Sequence, residues 1–145
     1  MITTSLKFED LSIGQFVEIN KIVTLNDVER FAEVSGDYNP IHLDASYAAA
    51  SQFKERIVHG VLIVAYVSAL IGMELPGSGS LVMSLKCEFK RPIKLDDAVT
   101  IRVEVKTLEP RRAIATLSCI CITNTKKIAL RGEAVVMVPR RVTEN

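Results

Sequence analysis

An α+β fold, with a curved antiparallel sheet wrapped around one long helix, is what this sequence predicts. Three observations carry that expectation. One apolar run, Val58 to Met73, is long enough for a four-turn helix. Four strand signals follow it in succession, and the turns between those strands are short enough to imply antiparallel pairing.

The elements follow in order. A turn at Ser12-Ile-Gly14 precedes a strand from Gln15 to Val23, with Phe16, Ile19, Ile22 and Val23 as candidate core residues. Thr24 is placed as a helix N-cap, with Asp27 in the capping-box position three residues on. Leu25, Val28, Phe31 and Ala32 recur at helical spacing, and Ser35-Gly36 ends that helix. Asp37 to Asp44 is turn-rich, because the ring of Pro40 clashes with a helical conformation at Asn39. A short alanine-rich helix is expected from about Ala45 to Ser51.

The helix from Val58 to Met73 is apolar nearly all the way round, which predicts burial on most sides. Pro76-Gly-Ser-Gly79 then breaks the chain. Leu81, Met83, Leu85, Cys87 and Phe89 alternate with mostly polar neighbours, as in a half-buried strand. Val99, Ile101, Val103 and Val105 do the same. Ala113 to Ile122 is apolar on both faces, which suits a central or interface strand, and Lys127 to Val138 follows a turn at Asn124-Thr125-Lys126. No repeats or linkers interrupt the chain, so residues 1–145 are expected to form one domain.

Composition removes several function classes. A formal net charge of +1, with acidic and basic residues interspersed, leaves no footprint for nucleic acid or for an anionic membrane. The N-terminus lacks a basic segment followed by an apolar run, and the run from Gly60 to Met73 is too short to span a bilayer. A soluble cytoplasmic protein is expected. Cys87, Cys119 and Cys121 are an odd set without CxxC spacing, best read as small buried hydrophobes in a reducing compartment. With two histidines and no Cys/His cluster at zinc spacing, no metal is expected.

Chemistry concentrates in two places. Asp37 and His42 share one loop, and a carboxylate and an imidazole sharing a water form a suitable acid–base pair. On spacing alone an Asx turn with a packed histidine is the commoner explanation. His59-Gly60 opens the long helix, whose first N–H groups lack intrahelical partners; glycine there admits a ligand close to the backbone, as an oxyanion hole requires. A glycine kept small for helix packing is an equal alternative. Gly60, Val64, Ser68 and Ile71 fall along one helix face. Ser68 would bond back to a carbonyl one turn earlier or serve the site, and Tyr66 would be a core aromatic whose hydroxyl reaches the surface. Basic residues in Phe89-Lys-Arg-Pro92 and at Arg111-Arg112 could meet a phosphate, though a solvated strand end is the commoner reading.

The run Phe31-Ala-Glu-Val-Ser-Gly-Asp-Tyr-Asn-Pro-Ile-His-Leu-Asp44 resembles the hydratase-2 motif of MaoC-like (R)-specific enoyl-CoA hydratases. The resemblance continues through Phe53, Ile57-Val-His-Gly60, Leu75-Pro-Gly-Ser-Gly-Ser80, Phe89-Lys-Arg-Pro92 and Gly132-Glu-Ala-Val-Val136, in the family's order. It implies a hotdog fold and a homodimer with the thioester near the subunit interface. It also implies reversible syn hydration of trans-2-enoyl thioesters to (R)-3-hydroxyacyl thioesters. Asp37 and His42 would activate water, the Gly60 N–H would polarise the thioester carbonyl, and Asn39, Val64, Ser68 and Ile71 would contact substrate. No cofactor is implied; coenzyme A or acyl carrier protein belongs to the substrate. Two departures stand out: Glu55-Arg56 where relatives often have Arg-Pro, and Asp96-Asp97 where they often have Gly-Asp. Aspartate tolerates left-handed turns, so the second change leaves the fold intact.

Two further activities compete with hydration of coenzyme A thioesters. Dehydration of 3-hydroxyacyl groups on acyl carrier protein uses the same chemistry. A hotdog thioesterase needs a carboxylate on the long helix, and Val61 to Met73 has neither Asp nor Glu. A non-catalytic acyl-CoA-binding dimer would be expected to have lost Asp37 or His42, and both are present.

Overall fold

The computed structural model describes residues 2–142, so the extreme ends of the expected 1–145 domain lie outside the described residues. After a 3₁₀ turn at Phe8–Asp10, the elements are β1 (Phe16–Ile22), α1 (Leu25–Ser35), α2 (Pro40–Leu43), α3 (Ala45–Ala49) and α4 (Gly60–Met73). Strands β2 (Leu81–Phe89), β3 (Ala98–Glu109), β4 (Ile114–Thr123) and β5 (Ile128–Met137) complete the chain. The five strands form one antiparallel sheet in the order β1-β3-β4-β5-β2. The apolar strand β4 is therefore central, as its two apolar faces required.

The core lies between the sheet and α4. Leu62, Ile63, Val67, Leu70 and Ile71 are buried against Val99, Ile101, Val103, Leu117, Leu130 and Val136. Each such side chain contributes about 1.5–3 kcal/mol on leaving water. Cys119 and Cys121 are buried on the same face of β4 as free thiols, pushed up to about 12 and about 11 by burial. Register breaks at Val82/Ser84, Val105/Thr107 and Cys121/Ile122 insert bulges, which bend strands and help a sheet curl around a helix.

Three expectations need correction. In β1 the inward residues are Val17 and Ile19, followed by Val23, whereas Phe16 and Ile22 point outward. Side chains alternate with period two, so Phe16 and Ile22 could not share a face with Ile19. Phe16 lies instead beneath the Arg102 guanidinium, 3.5 Å from its ring centroid. In β2 the break at Val82/Ser84 adds a residue, so Val82 rather than Leu81 and Met83 joins Leu85 and Cys87 on the inward face, while Phe89, beyond them on that face, is exposed at the cleft beside Gly60.

Helix α4 is the third. Within one chain it is covered on one side only: Val61, Ala65, Ser68, Ala69 and Gly72 form an exposed stripe of mostly small residues. The turn-rich segment also contains one regular turn of helix, α2, because proline at the first helical position supplies the φ a helix needs. Asp96, standing where relatives often have glycine, is left-handed at φ 66° and donates its N–H to the Val23 carbonyl. Glu55, the other departure, forms an exposed ion pair with Lys94 at 2.7 Å.

Candidate active site

The site grows from the end of α1. The Thr24–Asp27 capping box fixes where that helix starts. Gly36, at φ 80°, ends it in the left-handed conformation that glycine adopts without a steric penalty. The chain then folds on its own polar side chains. Asp37 donates its backbone N–H to Ser35 Oγ at 3.1 Å, and Asp37 Oδ1 accepts the Asn39 N–H at 3.1 Å. Asn39 Oδ1 caps α2 by accepting the Ile41 N–H at 3.2 Å. The Asx turn open to sequence reasoning is thus present, and it is the device that swings His42 back towards Asp37. Asp37 and Asn39 are exposed, while His42 is largely buried.

Two hydrogen bonds determine which nitrogens of the histidine pair are protonated. A carbonyl oxygen only accepts, so His42 Nδ1, 2.8 Å from the Ile57 oxygen, must carry the proton. Its Nε2 is left as a free lone pair. By the same reasoning His59 Nε2 donates to the Asp37 carbonyl at 3.0 Å, leaving His59 Nδ1 bare, buried and without a hydrogen-bond partner among the described residues. The two rings stack with centroids 3.9 Å apart and planes 26° from parallel. Burial holds His42 below the ordinary imidazole value of 6.5; the Ile57 bond opposes that shift, His59 adds to it, and Asp37 opposes it. His42 is therefore a neutral base near pH 7.

Asp37, His42 and His59 bring donor atoms within 4.8 Å of one another. One nitrogen of each ring is committed to a carbonyl, and nearly parallel stacked rings direct their remaining lone pairs side by side rather than at one point. A metal bound at about 2 Å needs ligands whose lone pairs converge. The arrangement suits proton handling better.

A cleft of about 400 Å³ opens beside His42, and Asp37, Asn39 and His59 are not part of its wall. His42 and Gly60 line it with Phe53, Ile57, Phe89 and Arg91. Gly60 is the first residue of α4, and a Cβ there would lie 2.6 Å from Cε1 of Phe89. The packing explanation of this glycine therefore holds, since it makes room for an aromatic ring; as the first residue of α4 it also sits on the cleft wall at a helix end whose N–H groups lack intrahelical partners. Arg91 donates one guanidinium N–H to the Ile128 carbonyl at 2.7 Å, and Lys90, also on the cleft wall, pairs with Glu88.

The other expected contacts are spread more widely. Val64 is half-buried and Ser68 exposed, both at the border between the core and the open stripe of α4. Ile71 is 1 % exposed and belongs to the core. Val64, Ser68 and Ile71 do not line the cleft. Tyr66 is packed against the core with Lys21 over its ring, its phenol pushed up to about 12 by burial. Two residues escaped sequence reasoning: His59, singled out only as the neighbour of Gly60, and Phe89, taken as a core residue. For His59 a signal existed, since the chain has only two histidines and this one caps the helix that opens the site.

Residues 12–126 match the model of the MaoC like domain. A 3-hydroxybutyryl-CoA dehydratase from Methylorubrum extorquens is 40% identical over 94% of this chain and 86% of its own length. An (R)-specific enoyl-CoA hydratase from Rhodospirillum rubrum is 39% identical over 92% of each. Among solved structures, an (R)-hydratase from A. caviae involved in PHA biosynthesis superposes with a TM-score of 0.88, at 40% identity, over 90% of this chain and 99% of that one. The fold is accordingly the hotdog fold expected from the resemblance. With a family model matched over residues 12–126 and relatives at 39% and 40% identity over most of both chains, the chain belongs to the MaoC-like family.

Proposed function

We propose that this protein is an (R)-specific enoyl-CoA hydratase, a hydro-lyase that interconverts trans-2-enoyl-CoA and (R)-3-hydroxyacyl-CoA. The observation that carries this function is the state of His42. Its Nδ1 proton is held by Ile57, it is kept neutral by burial, and it shares a cleft with the Gly60 backbone while standing beside Asp37.

The chemistry follows from those roles. Asp37 holds a water against His42. Nε2 takes a proton as the water oxygen bonds to C3, and the C2–C3 π electrons move towards the thioester carbonyl. The helix-terminal N–H of Gly60 stabilises the enolate-like oxygen. The proton then passes to C2 from the same side, so addition is syn. No cofactor is consumed. Asn39 keeps an amide N–H₂ free for substrate beyond its capping bond; Val64, Ser68 and Ile71 lie off the cleft wall and would meet only an acyl chain that extends beyond it along α4.

A homodimer completes the arrangement. Two surfaces support it: the apolar stripe of α4 from Val61 to Gly72, and the unpaired edge of β2. An uncovered apolar stripe beside an open strand edge is costly in an isolated chain. One hydratase domain over residues 1–145 and a cytoplasmic setting, where Cys87, Cys119 and Cys121 stay reduced, fit the same proposal. No helix of the described residues is long and apolar enough to cross a membrane.

Coenzyme A is favoured as carrier because the relatives at 39% and 40% identity are named for coenzyme A thioesters. The test is a comparison of hydration rates on enoyl-CoAs of increasing length with a matched acyl-carrier-protein thioester, with product configuration determined. Faster turnover on the carrier protein would make the enzyme a 3-hydroxyacyl-carrier-protein dehydratase. No turnover of either would leave an acyl-CoA-binding dimer.

A further inference from the structure

We propose that His59 is a positioning residue for the acid–base pair, holding the Asp37 main chain by a hydrogen bond and the plane of the His42 ring by stacking. The assignment rests on the hydratase function proposed above for Asp37 and His42.

Four observations converge on it. His59 is 2 % exposed, so its ring is held by its surroundings on all sides. Its Nε2 donates to the carbonyl of Asp37 itself, 22 residues away in sequence, tying the catalytic loop to the start of α4. Its face lies against His42 with centroids 3.9 Å apart, and the Phe31 ring of α1 meets it at 4.9 Å in an edge arrangement. Its Nδ1 has no partner among the described residues, an expense that a purely structural site would avoid with an apolar side chain of similar size. A ring retained as histidine under those conditions is retained for its N–H.

The geometry also explains why this histidine adjoins Gly60. As N-cap of α4, His59 has non-helical backbone angles, φ −58° and ψ 126°, and its side chain does not cap the helix. It is free to reach Asp37. The residue that anchors the Asp37 main chain thus directly precedes Gly60 on the cleft wall, so the acid–base pair and the start of α4 are set from one point of the backbone.

Two variants separate the contributions. His59→Phe keeps a ring to stack but loses the donor; His59→Gln keeps a donor but loses the ring. Misplacing a catalytic group by about 1 Å costs on the order of 10²-fold. His59→Phe is therefore expected to lower kcat by roughly 10- to 100-fold with KM within about two-fold, and His59→Gln to recover part of that loss. A structural role alone would lower stability and leave kcat of the folded fraction unchanged.

A second measurement needs no turnover. The chain has two histidines, so its imidazole ¹⁵N spectrum holds two side chains. The wild type should give one Nδ1–H tautomer, His42, and one Nε2–H tautomer, His59. In folded His59→Phe the Tyr38 amide, which shares a peptide plane with the Asp37 carbonyl, should shift; in folded His59→Gln the His42 signals should lose their single tautomer. Unchanged kcat, or unchanged His42 and Tyr38 signals in both variants, would overturn the role. An inactive wild type with these spectral changes intact would refute the hydratase function and keep the His59 anchor.

Discussion

Replacing Gly60 with alanine adds one methyl group where the structure has space for none. The new Cβ would sit 2.6 Å from Cε1 and 2.8 Å from Cδ1 of Phe89, against an ordinary contact of 3.4 Å or more, so the ring must give by about 0.8 Å (3.4 − 2.6). Overpacking of this kind costs about 1–3 kcal/mol. Phe89 is 54 % exposed, so its ring can swing towards solvent, and the low end applies. For a chain of this length about 1 kcal/mol lowers Tm by roughly 4 °C. The assay is thermal unfolding of a double-mutant cycle, with Gly60→Ala measured in wild-type and Phe89→Ala backgrounds. The destabilisation should be present in the first and absent in the second. Equal destabilisation in both would show that the strain lies in the backbone of α4, and that Phe89 is not what keeps residue 60 a glycine.

Four other outcomes follow from the same geometry. Since burial lowers the His42 pKa, the acid limb of kcat/KM should fall below 6.5, and a limb at or above 6.5 would mean that His42 is not held neutral. Stability carries the matching sign: as pH falls through 6.5 the unfolded chain takes up a proton that folded His42 refuses, so stability drops from there down to the lowered value and levels off below it. Ile71→Ala should cost about 2–5 kcal/mol in denaturant unfolding, because the side chain is in the core, and should shift the rate profile towards longer acyl chains. An unchanged profile would remove Ile71 from contact with the acyl chain. Ala69→Arg, on the open stripe of α4, should turn a dimer into a folded monomer in sedimentation velocity, whereas a monomeric wild type would refute the dimer.

Much of the fold was legible because it rests on local rules. The Thr24–Asp27 box, the Gly36 terminator and the alternation of Val99 to Val105 each encode their own geometry. What was misjudged depended on partners or register. The bulge near Met83 swapped the faces of the start of β2, and no pattern within Leu81–Phe89 announces it. The openness of α4 was missed because an all-apolar helix looks the same whether sheet or a second chain covers it. At the site, the loop spacing of Asp37 and His42 alone favours an Asx turn with a packed histidine, and the family resemblance is what singles the pair out; His59 reaches across 22 residues to a main-chain carbonyl, a link that spacing does not encode.

The central claim is that Asp37 and the neutral His42 together activate the water that adds to an enoyl thioester. The direct measurement is the rate of crotonyl-CoA hydration by wild type, Asp37→Asn and His42→Ala, with the configuration of the 3-hydroxybutyryl product determined. The wild type should give the (R) product, and each substitution should lower kcat by roughly 10²–10⁴-fold. Near-wild-type hydration by either variant, or an (S) product, would contradict it.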